Sequence, residues 1–413
     1  MMILFRKREY VSGGSLSKLA LKRLWRNPLA VISLILIGAA ILISVLGYLI
    51  TPDSTPYSNE QFLELSIHKP GTKVKMLHVE QNTDHKKKNV IMKMLFGSRR
   101  SYTAIPFSDI HFEGDKVMVE EYSDTPLPDP QKQTFDLADV AYAIDMNKEV
   151  LTDADTVIFT DIKGKYHRMA TADLQRLVME NRVITRHYLL GTDQFGRDML
   201  SRLLIGTRVS LSVGLVSVAI SLVIGILLGS VAGFFRGRVD DLIMWFINVV
   251  WSIPTLLLVI AITFALGKGF WQVFVAVGLT MWVEVARVVR GQFISIREKE
   301  FVEAGRALGY RNSRIIFRHI LPNVLAPVIV ISAANFASAI LMEAGLSFLG
   351  IGVQPPMPSW GSMIRENYPY IILDSAYLAI LPGLAIMVMV LAFMLIGNAL
   401  RDALDVRTIG SWR

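Results

Sequence analysis

Six apolar runs, each long enough to cross a bilayer, constrain this chain more than any other feature of its sequence. An α-helix needs about 20 apolar residues to span the hydrocarbon core of a membrane. With 52% hydrophobic and only 19% charged residues among its 413, the chain has more apolar side chains than one soluble core uses. The sequence therefore predicts an all-α polytopic membrane protein with six transmembrane helices. The runs are residues 29–50, 205–235, 242–266, 270–289, 322–346 and 376–400.

Basic residues flank these runs unevenly, and the imbalance predicts an orientation. Residues 1–28 carry seven Lys and Arg against the single acid Glu9, which favours a cytoplasmic N-terminus. A cleaved signal peptide is the competing interpretation, but the run at 29–50 is too long for one and no Ala-x-Ala site follows. The loop 290–321 is also rich in arginine, so we expect it and the tail 401–413 to be cytoplasmic.

Residues 51–187 have a different composition, with charges of both signs and no run long enough to span a membrane. One crossing from a cytoplasmic N-terminus makes this segment a soluble α+β extracytoplasmic insert between the first and second helices. Alternating apolar residues around glycine turns predict strands, and helical spacing predicts a helix. The expected elements are hairpins at 110–119 (around Gly114–Asp115) and 156–162 continuing from Tyr166, a helix at 173–184 capped by Thr171, and a solvated loop at 84–100.

The second apolar run has small residues along one face at spacings of four, with one of three. Lipid provides no hydrophobic drive for helix association, so such a ridge favours close packing of another helix. We expect a helix-packing ridge, which could serve as a sliding or partner surface. Its members are Gly206, Ser210, Gly214, Ser217, Ser221, Gly225, Gly229 and Gly233.

No catalytic or metal-binding pattern is present in the sequence. The chain has no cysteine, which excludes thiolate metal sites, and neither Gly164–Lys165 nor Gly267–Lys268 continues as a phosphate-binding loop. The histidines of the insert lack the spacing of metal ligands. The sequence therefore predicts a non-enzymatic chain that binds no cofactor, and it gives no reason to expect nucleic-acid binding.

The segment 301–323 is a charged island between two apolar runs. Acids come early and arginines later, as suits a short helix that ends at Gly309. Ala304, Gly305 and Ala307 keep one side of that helix slim, so it is shaped to enter a groove of another protein. An amphipathic helix resting on lipid headgroups is the alternative.

This island resembles the EAA loop of ABC-importer permeases. Glu303-Ala304-Gly305, Gly309 and Leu321-Pro322 match its pattern of Glu-Ala-Ala, Gly and Leu-Pro. Gly305 stands where the second alanine is usual, and His319 stands where isoleucine is usual. The resemblance implies that 303–309 is a coupling helix for separate ATPase subunits.

Two further motif regions resemble the C-type permease subunit of dipeptide/oligopeptide importers. They are Gly-Thr-Asp-Gln-Phe-Gly-Arg-Asp at 191–198, and 343–350 with Pro-Ser-Trp-Gly at 358–361. The similarity covers 23–50 and 190–405, and residues 188–400 would form a five-helix permease core of the type I importer fold. The insert is larger than this family usually carries.

The resemblance also implies partners and a location. A homologous second permease subunit, two ATPase subunits that bind ATP and Mg, and an extracytoplasmic peptide-binding protein would assemble with this chain in the bilayer of a bacterial cytoplasmic membrane. Cargo would be di- or oligopeptides. Within the same machinery, a nickel chelate or a modified peptide is the alternative cargo.

Polar residues inside the apolar runs are candidates for the translocation path. Ser332, Asn335 and Ser338 are spaced to line a channel, although hydrogen bonds between helices are an equal alternative. We expect Glu284 to pair with Arg287, and Glu343 to lie in water near the outer end of its helix.

A receptor or scaffold that uses residues 51–187 is the alternative from another functional class. Such a protein has no use for a slim cytoplasmic helix followed by a Leu-Pro return to the membrane. The loop at 301–323 therefore favours transport.

Overall fold

The computed structural model describes residues 16–83, 89–125, 128–153, 155–267 and 269–404, with the side chains of 16–19 left out. The first fifteen residues of the predicted cytoplasmic segment, the lysines at 86–88 and the tail from residue 405 lie outside these ranges.

Long apolar helices dominate the described part of the chain. Five of them are individually long and apolar enough to span a membrane. Asn27 starts the first, since its side-chain oxygen accepts hydrogen bonds from the backbone N–H groups of Leu29 and Ala30 at 3.0 and 3.3 Å, as an N-cap does. The five are α2 (Pro28–Ile50), α6 (Met199–Phe235), α9 (Phe270–Arg297), α12 (Leu321–Phe348) and α14 (Tyr377–Leu404). Shorter helices outside the spans are α1 (Leu16–Arg26), α10 (Glu300–Ala307) and α13 (Trp360–Asn367). The short helix α11 (Asn312–Arg314) begins the fourth candidate span, which covers Asn312–Phe348.

The predicted span at 242–266 is not a single straight helix. The segment forms two helices, α7 (Arg238–Trp251) and α8 (Thr255–Leu266), bent by 91°. Pro254 has no N–H to donate and disfavours helical geometry at the residue before it, which breaks the helix there. The described residues therefore contain a sixth span only if this bent pair is counted as one.

The described residues of the insert form two antiparallel sheets and three α-helices. The larger sheet has the strand order β4-β3-β2-β1-β8 and the smaller β5-β6-β7. The strands are β1 (Thr72–Glu80), β2 (Tyr102–Glu113), β3 (Lys116–Glu121), β4 (Lys132–Asp136), β5 (Leu151–Asp153), β6 (Thr156–Thr160), β7 (Tyr166–Ala170) and β8 (Val183–Tyr188). The helices are α3 (Val90–Phe96), α4 (Leu137–Ala141) and α5 (Thr171–Asn181).

Both predicted hairpins are confirmed. Strands β2 and β3 pair from Glu113 opposite Lys116, and β6 pairs with β7 from Thr160 opposite Tyr166. The helix prediction extends too far, since Ile184 belongs to β8. Thr171 is the first helical residue and Ala170 occupies the cap position.

The prediction of a solvated loop at 84–100 is wrong for its second half, where α3 lies. Residues 84–88 are outside the described ranges. The apolar sequence of residues 90–96, interrupted only by Lys93, is the feature of this segment that argues against a solvated loop.

His78 on β1 is buried inside the insert. Its ring stacks on Tyr102 with centroids 3.8 Å apart. Burial, together with the nearby guanidinium groups of Arg100, Arg182 and Arg186, lowers the pKa of His78 from 6.5 to about 4. The folded insert therefore holds this imidazole in its neutral form.

This burial predicts a pH-dependent stability of the insert. The folded-state pKa lies below the unfolded value, so the stabilisation is complete above about pH 6.5 and is lost as the pH falls toward 4. As the pH falls through this window, the free energy of unfolding of the wild-type insert should decrease relative to that of the His78→Gln variant, by up to about 3 kcal/mol. Hydrogen exchange of the β1 and β2 amides in the full chain measures it. His111→Gln, on an exposed side chain, is the control, and an unchanged difference between the wild type and His78→Gln would contradict the prediction.

Candidate functional site

The charged island at 301–323 begins with a short helix that has a defined start and stop. Glu300 and Glu303 lie in the first turn of α10 and Arg306 in the last, which suits the helix dipole. Gly309 follows with φ +74°, a left-handed conformation that glycine adopts at low cost. The acidic first turn and the glycine stop are both as the sequence suggests.

One face of α10 is buried and the other is exposed. Val302 is packed with Phe234 of α6, Phe293 of α9 and Ile320. Glu303, Ala304, Arg306, Ala307 and Leu308 are exposed. The buried face of α10 therefore packs on an apolar cluster to which three long helices contribute. Its solvent-exposed face has both charged and small side chains.

Gly305 lies on the buried face, contrary to the expectation that it shares the slim side with Ala304 and Ala307. A Cβ at Gly305 would lie 3.4 Å from Cδ2 of Tyr310. The slim outward surface is therefore made by Ala304 and Ala307, and Gly305 lets the following turn approach α10.

His319, which departs from the EAA pattern, stacks on the same tyrosine. The rings of Tyr310 and His319 lie 5.6 Å apart at 17°. His319 is part of a π-helical turn, Ile315–Ile320, which leads into α12 at Leu321 and Pro322. An aromatic stack thus replaces the aliphatic contact that isoleucine would make.

The small residues of α6 contact other helices of this same chain. A Cβ added at Gly225, Gly229 or Gly233 would lie 2.5 to 2.6 Å from atoms of Val285, Ala286 or Phe293, all on α9.

The rest of the ridge is also occupied. Gly206 faces Trp360 of α13 and Gly214 faces Phe336 of α12, while Ser217 donates to the Phe274 carbonyl at 2.9 Å. Ser210 and Ser221 are buried. These glycines thus pack closely against other helices, as expected of the ridge, and the helices that they contact belong to this chain.

The three predicted path residues on α12 do not share an environment. Asn335 is buried, and its side-chain NH₂ group has no hydrogen-bond partner within the described structure. Ser332 donates to the carbonyl of Val328, one turn back, at 2.6 Å. Ser338 is exposed and lines a cavity of about 210 Å³ beside the bend between α7 and α8.

Glu284 of α9 lines the same cavity as Ser338. Arg287 does not pair with it as expected. The Arg287 guanidinium instead lies 3.6 Å from the centre of the Trp251 ring and donates to Asn248 at 3.0 Å. The cavity therefore has a carboxylate and a hydroxyl on opposing helices.

Glu343 is fully buried, so the expectation that it lies in water is wrong. Ser347, one turn on, donates to its carboxylate at 2.6 Å. Ser347 also lies 3.3 Å from the hydroxyl of Ser359, at the start of α13.

The sequence interpretation missed a buried cluster of charges at the beginning of α6. Arg197 pairs with Asp193 at 2.7 Å and with Glu366 of α13 at 2.5 Å. Arg202, which is also buried, lies 3.5 Å from Asp193 and 3.3 Å from Glu366. Two carboxylates thus balance two guanidinium groups. The motif at 191–198 pointed to Asp193 and Arg197, whereas nothing near Glu366 in the sequence marks it.

A second set of charges lies within the insert, beside the loop that enters it from α2. The carboxylate of Glu60 forms ion pairs with Arg100 at 3.0 Å and with Arg186 at 2.6 Å. The backbone N–H of Asp53 donates to the Ser201 hydroxyl of α6 at 2.9 Å. The loop that enters the insert is therefore fixed to the first turn of α6.

Comparison with known proteins places this architecture. Residues 225–410 match the family model described as binding-protein-dependent transport system inner membrane component, and 15–70 match the N-terminal TM domain of oligopeptide transport permease C. The dipeptide transport system permease protein DppC of Alkalihalophilus pseudofirmus is 43% identical over 215 residues, 52% of this chain and 70% of that protein. The chain belongs to the binding-protein-dependent inner membrane component family.

Two other relatives carry different names. The glutathione transport system permease protein GsiD of Pectobacterium atrosepticum is 42% identical over 52% of this chain and 71% of its own length. The oligopeptide transport system permease protein OppC of Bacillus subtilis is 34% identical over 60% and 80%. Among solved structures, an inward-facing MetNI methionine ABC transporter covers 50% of this chain and 98% of that chain, at 19% identity and a TM-score of 0.43.

In this inner membrane component, the contact of α6 with α9 is testable with a matched pair of glycines. Gly229→Ala places a methyl group 2.5 Å from the Ala286 carbonyl oxygen, whereas the same change at Gly291 meets nothing within 4 Å. Overpacking should cost about 1–3 kcal/mol at Gly229. Gly291→Ala should be neutral or slightly stabilising, because alanine favours a helix. Thermal unfolding of the assembled permease in detergent measures both, and equal melting temperatures would refute the close contact.

The charge cluster of this permease gives another test. Glu366→Gln removes the carboxylate that Arg197 and Arg202 share, leaving two buried cations with Asp193 alone. We expect a loss of about 3–5 kcal/mol, seen as a lower melting temperature. Glu180→Gln, on the exposed face of α5, should leave the melting temperature unchanged. A wild-type melting temperature in Glu366→Gln would show that the cluster is not important for stability.

Proposed function

We propose that this chain is the permease subunit of an ATP-driven importer of di- or oligopeptides. The main support for this proposal is α10, a short charged helix whose buried side packs against α6, α9 and the residues that lead into α12. The relatives named as dipeptide and oligopeptide permeases support the cargo. The relative named as a glutathione permease supports a modified peptide as the second candidate.

The energy for transport comes from partner subunits in this proposal. The sequence has no phosphate-binding loop of its own, so two ATPase subunits would dock on the cytoplasmic face of the permease pair. The exposed face of α10, at Glu303, Ala304 and the turn at Gly309, would be this chain's contact with them. Leu321 and Pro322 then return the chain to the membrane. A displacement of α10 would be passed through Val302 to Phe293 of α9 and to Ile315 and Ile320, because packed interiors transmit strain.

Rocking of the helices would then alternate access to the path. We place the path at the cavity between α9 and α12, where Ser338 and Glu284 offer a hydroxyl and a carboxylate to the polar backbone of a peptide. Asn335 faces the protein interior and Ser332 is bonded to its own helix, so both are assigned to helix packing.

The other components of the transporter and the orientation of this chain follow from this assignment. A homologous permease would complete the path, and an extracytoplasmic binding protein would deliver the peptide. The arginine-rich loop 290–321 lies on the cytoplasmic side with both termini. The insert at 51–187 then lies outside the membrane on the side of the binding protein.

Charge reversal on α10 tests the coupling assignment. Glu303→Arg should abolish or strongly reduce peptide uptake and co-purification of the ATPase subunits, because Glu303 is exposed on the proposed docking face. Glu180→Arg, an exposed glutamate on helix α5 of the insert, is the matched control and should keep both. Uptake of labelled peptide by cells that express equal amounts of each variant is the measurement. Unchanged uptake and ATPase binding in Glu303→Arg would overturn the coupling assignment.

A further inference from the structure

Helix α3 of the insert displays apolar side chains where an ordinary surface helix displays polar ones. Five of its seven residues are apolar and 43–65% exposed. Such a concentration on one short helix marks a surface that is covered by something apolar. The five are Val90, Ile91, Met92, Leu95 and Phe96.

Arg208 of α6 fixes this helix against α2. Its guanidinium group donates to the carbonyls of Met94 and Leu95 at the end of α3, at 3.1 and 2.7 Å. It also donates to the carbonyls of Ser44 and Val45 in α2, at 2.7 and 3.2 Å. The last carbonyls of a helix have no hydrogen-bond partner within the helix. The Arg208 guanidinium therefore supplies hydrogen bonds to the C-terminal carbonyls of α3 and links this helix to α2.

A second set of contacts holds the same C-terminal end of α3. Gly97 has φ +66°, and a Cβ there would lie 2.8 Å from the carbonyl oxygen of Ser54. The next residue, Ser98, donates its N–H to that same carbonyl at 2.9 Å. The C-terminal end of α3 is therefore fixed by Arg208 on one side and by Ser54 on the other.

The position of Arg208 sets the depth of α3 relative to the membrane. Val45 lies five residues before the end of α2, which is ~8 Å along the helix axis. Interfacial helices bury their apolar face about 5–10 Å into the boundary between headgroups and acyl chains. The end of α3 is thus at the level where such helices lie.

We infer that α3 is an interfacial membrane helix that inserts Val90, Ile91, Met92, Leu95 and Phe96 into the lipid leaflet beside α2. Its apolar surface continues that of α2, whose Leu42, Leu46 and Leu49 are also exposed. The inference requires only that α2 spans the membrane. It does not depend on which side is cytoplasmic or on what the permease transports.

The absence of cysteine makes site-specific spin labelling the direct test. Ile91→Cys and Phe96→Cys would be labelled with a nitroxide in the full chain, assembled with its partner subunits in nanodiscs of phosphatidylcholine and phosphatidylglycerol. Collision with oxygen, which concentrates in lipid, is compared with collision with a water-soluble nickel chelate. Leu42→Cys on α2 serves as the membrane control and Tyr166→Cys on β7 as the water control.

The proposal expects both α3 positions to resemble Leu42, with an oxygen-to-nickel ratio several-fold above that at Tyr166. A ratio like that at Tyr166 would place α3 in water and overturn the proposal. Low accessibility to both reagents would also overturn it, because it would mean that a protein subunit covers the helix. All four labelled positions are exposed on this chain, so the labels should not disturb its folding.

Discussion

The close approach of α6 and α9 is the constraint on which the rest of the structure depends. At Gly225, Gly229 and Gly233 the two helices are so near that a single methyl group would overlap a neighbouring atom. In a bilayer the contact cannot draw on the hydrophobic effect and relies on van der Waals packing, which requires this closeness. The two helices therefore move as one body. Because Phe234 and Phe293 at their ends also pack beneath α10, α10 is attached to that body.

The opposite end of α6 is fixed by charge. Arg197 and Arg202 are buried, which would be costly for isolated cations, but Asp193 and Glu366 neutralise them. Burial in a low dielectric strengthens these attractions while it penalises any unbalanced member. The cluster joins α13 to the start of α6, so both ends of the longest helix are anchored by contacts that tolerate little displacement.

The apolar runs, the two hairpins and the short helix at α10 could be predicted from the sequence, because local spacing and glycine turns determine them. The bend at Pro254 could not be read from hydropathy, since α7 and α8 are both apolar, although the proline itself was visible. The inward position of Gly305 depends on Tyr310 folding back, and the role of Glu366 depends on an arginine 169 residues away in sequence. Such contacts are set by tertiary packing, and residue type alone does not reveal them.

The insert is attached to the membrane helices too firmly to behave as a domain on a flexible tether. Its entering loop bonds to Ser201 of α6, Arg208 holds α3, and the hydroxyl of Tyr377 on α14 donates to the His68 carbonyl at 2.8 Å. Two membrane helices therefore carry it from different sides. Any rocking of α6 that begins at α10 must displace the insert as well, unless these bonds break. In the proposed transport cycle, the insert and the coupling helix α10 would therefore move together, because the tightly packed pair α6 and α9 connects them.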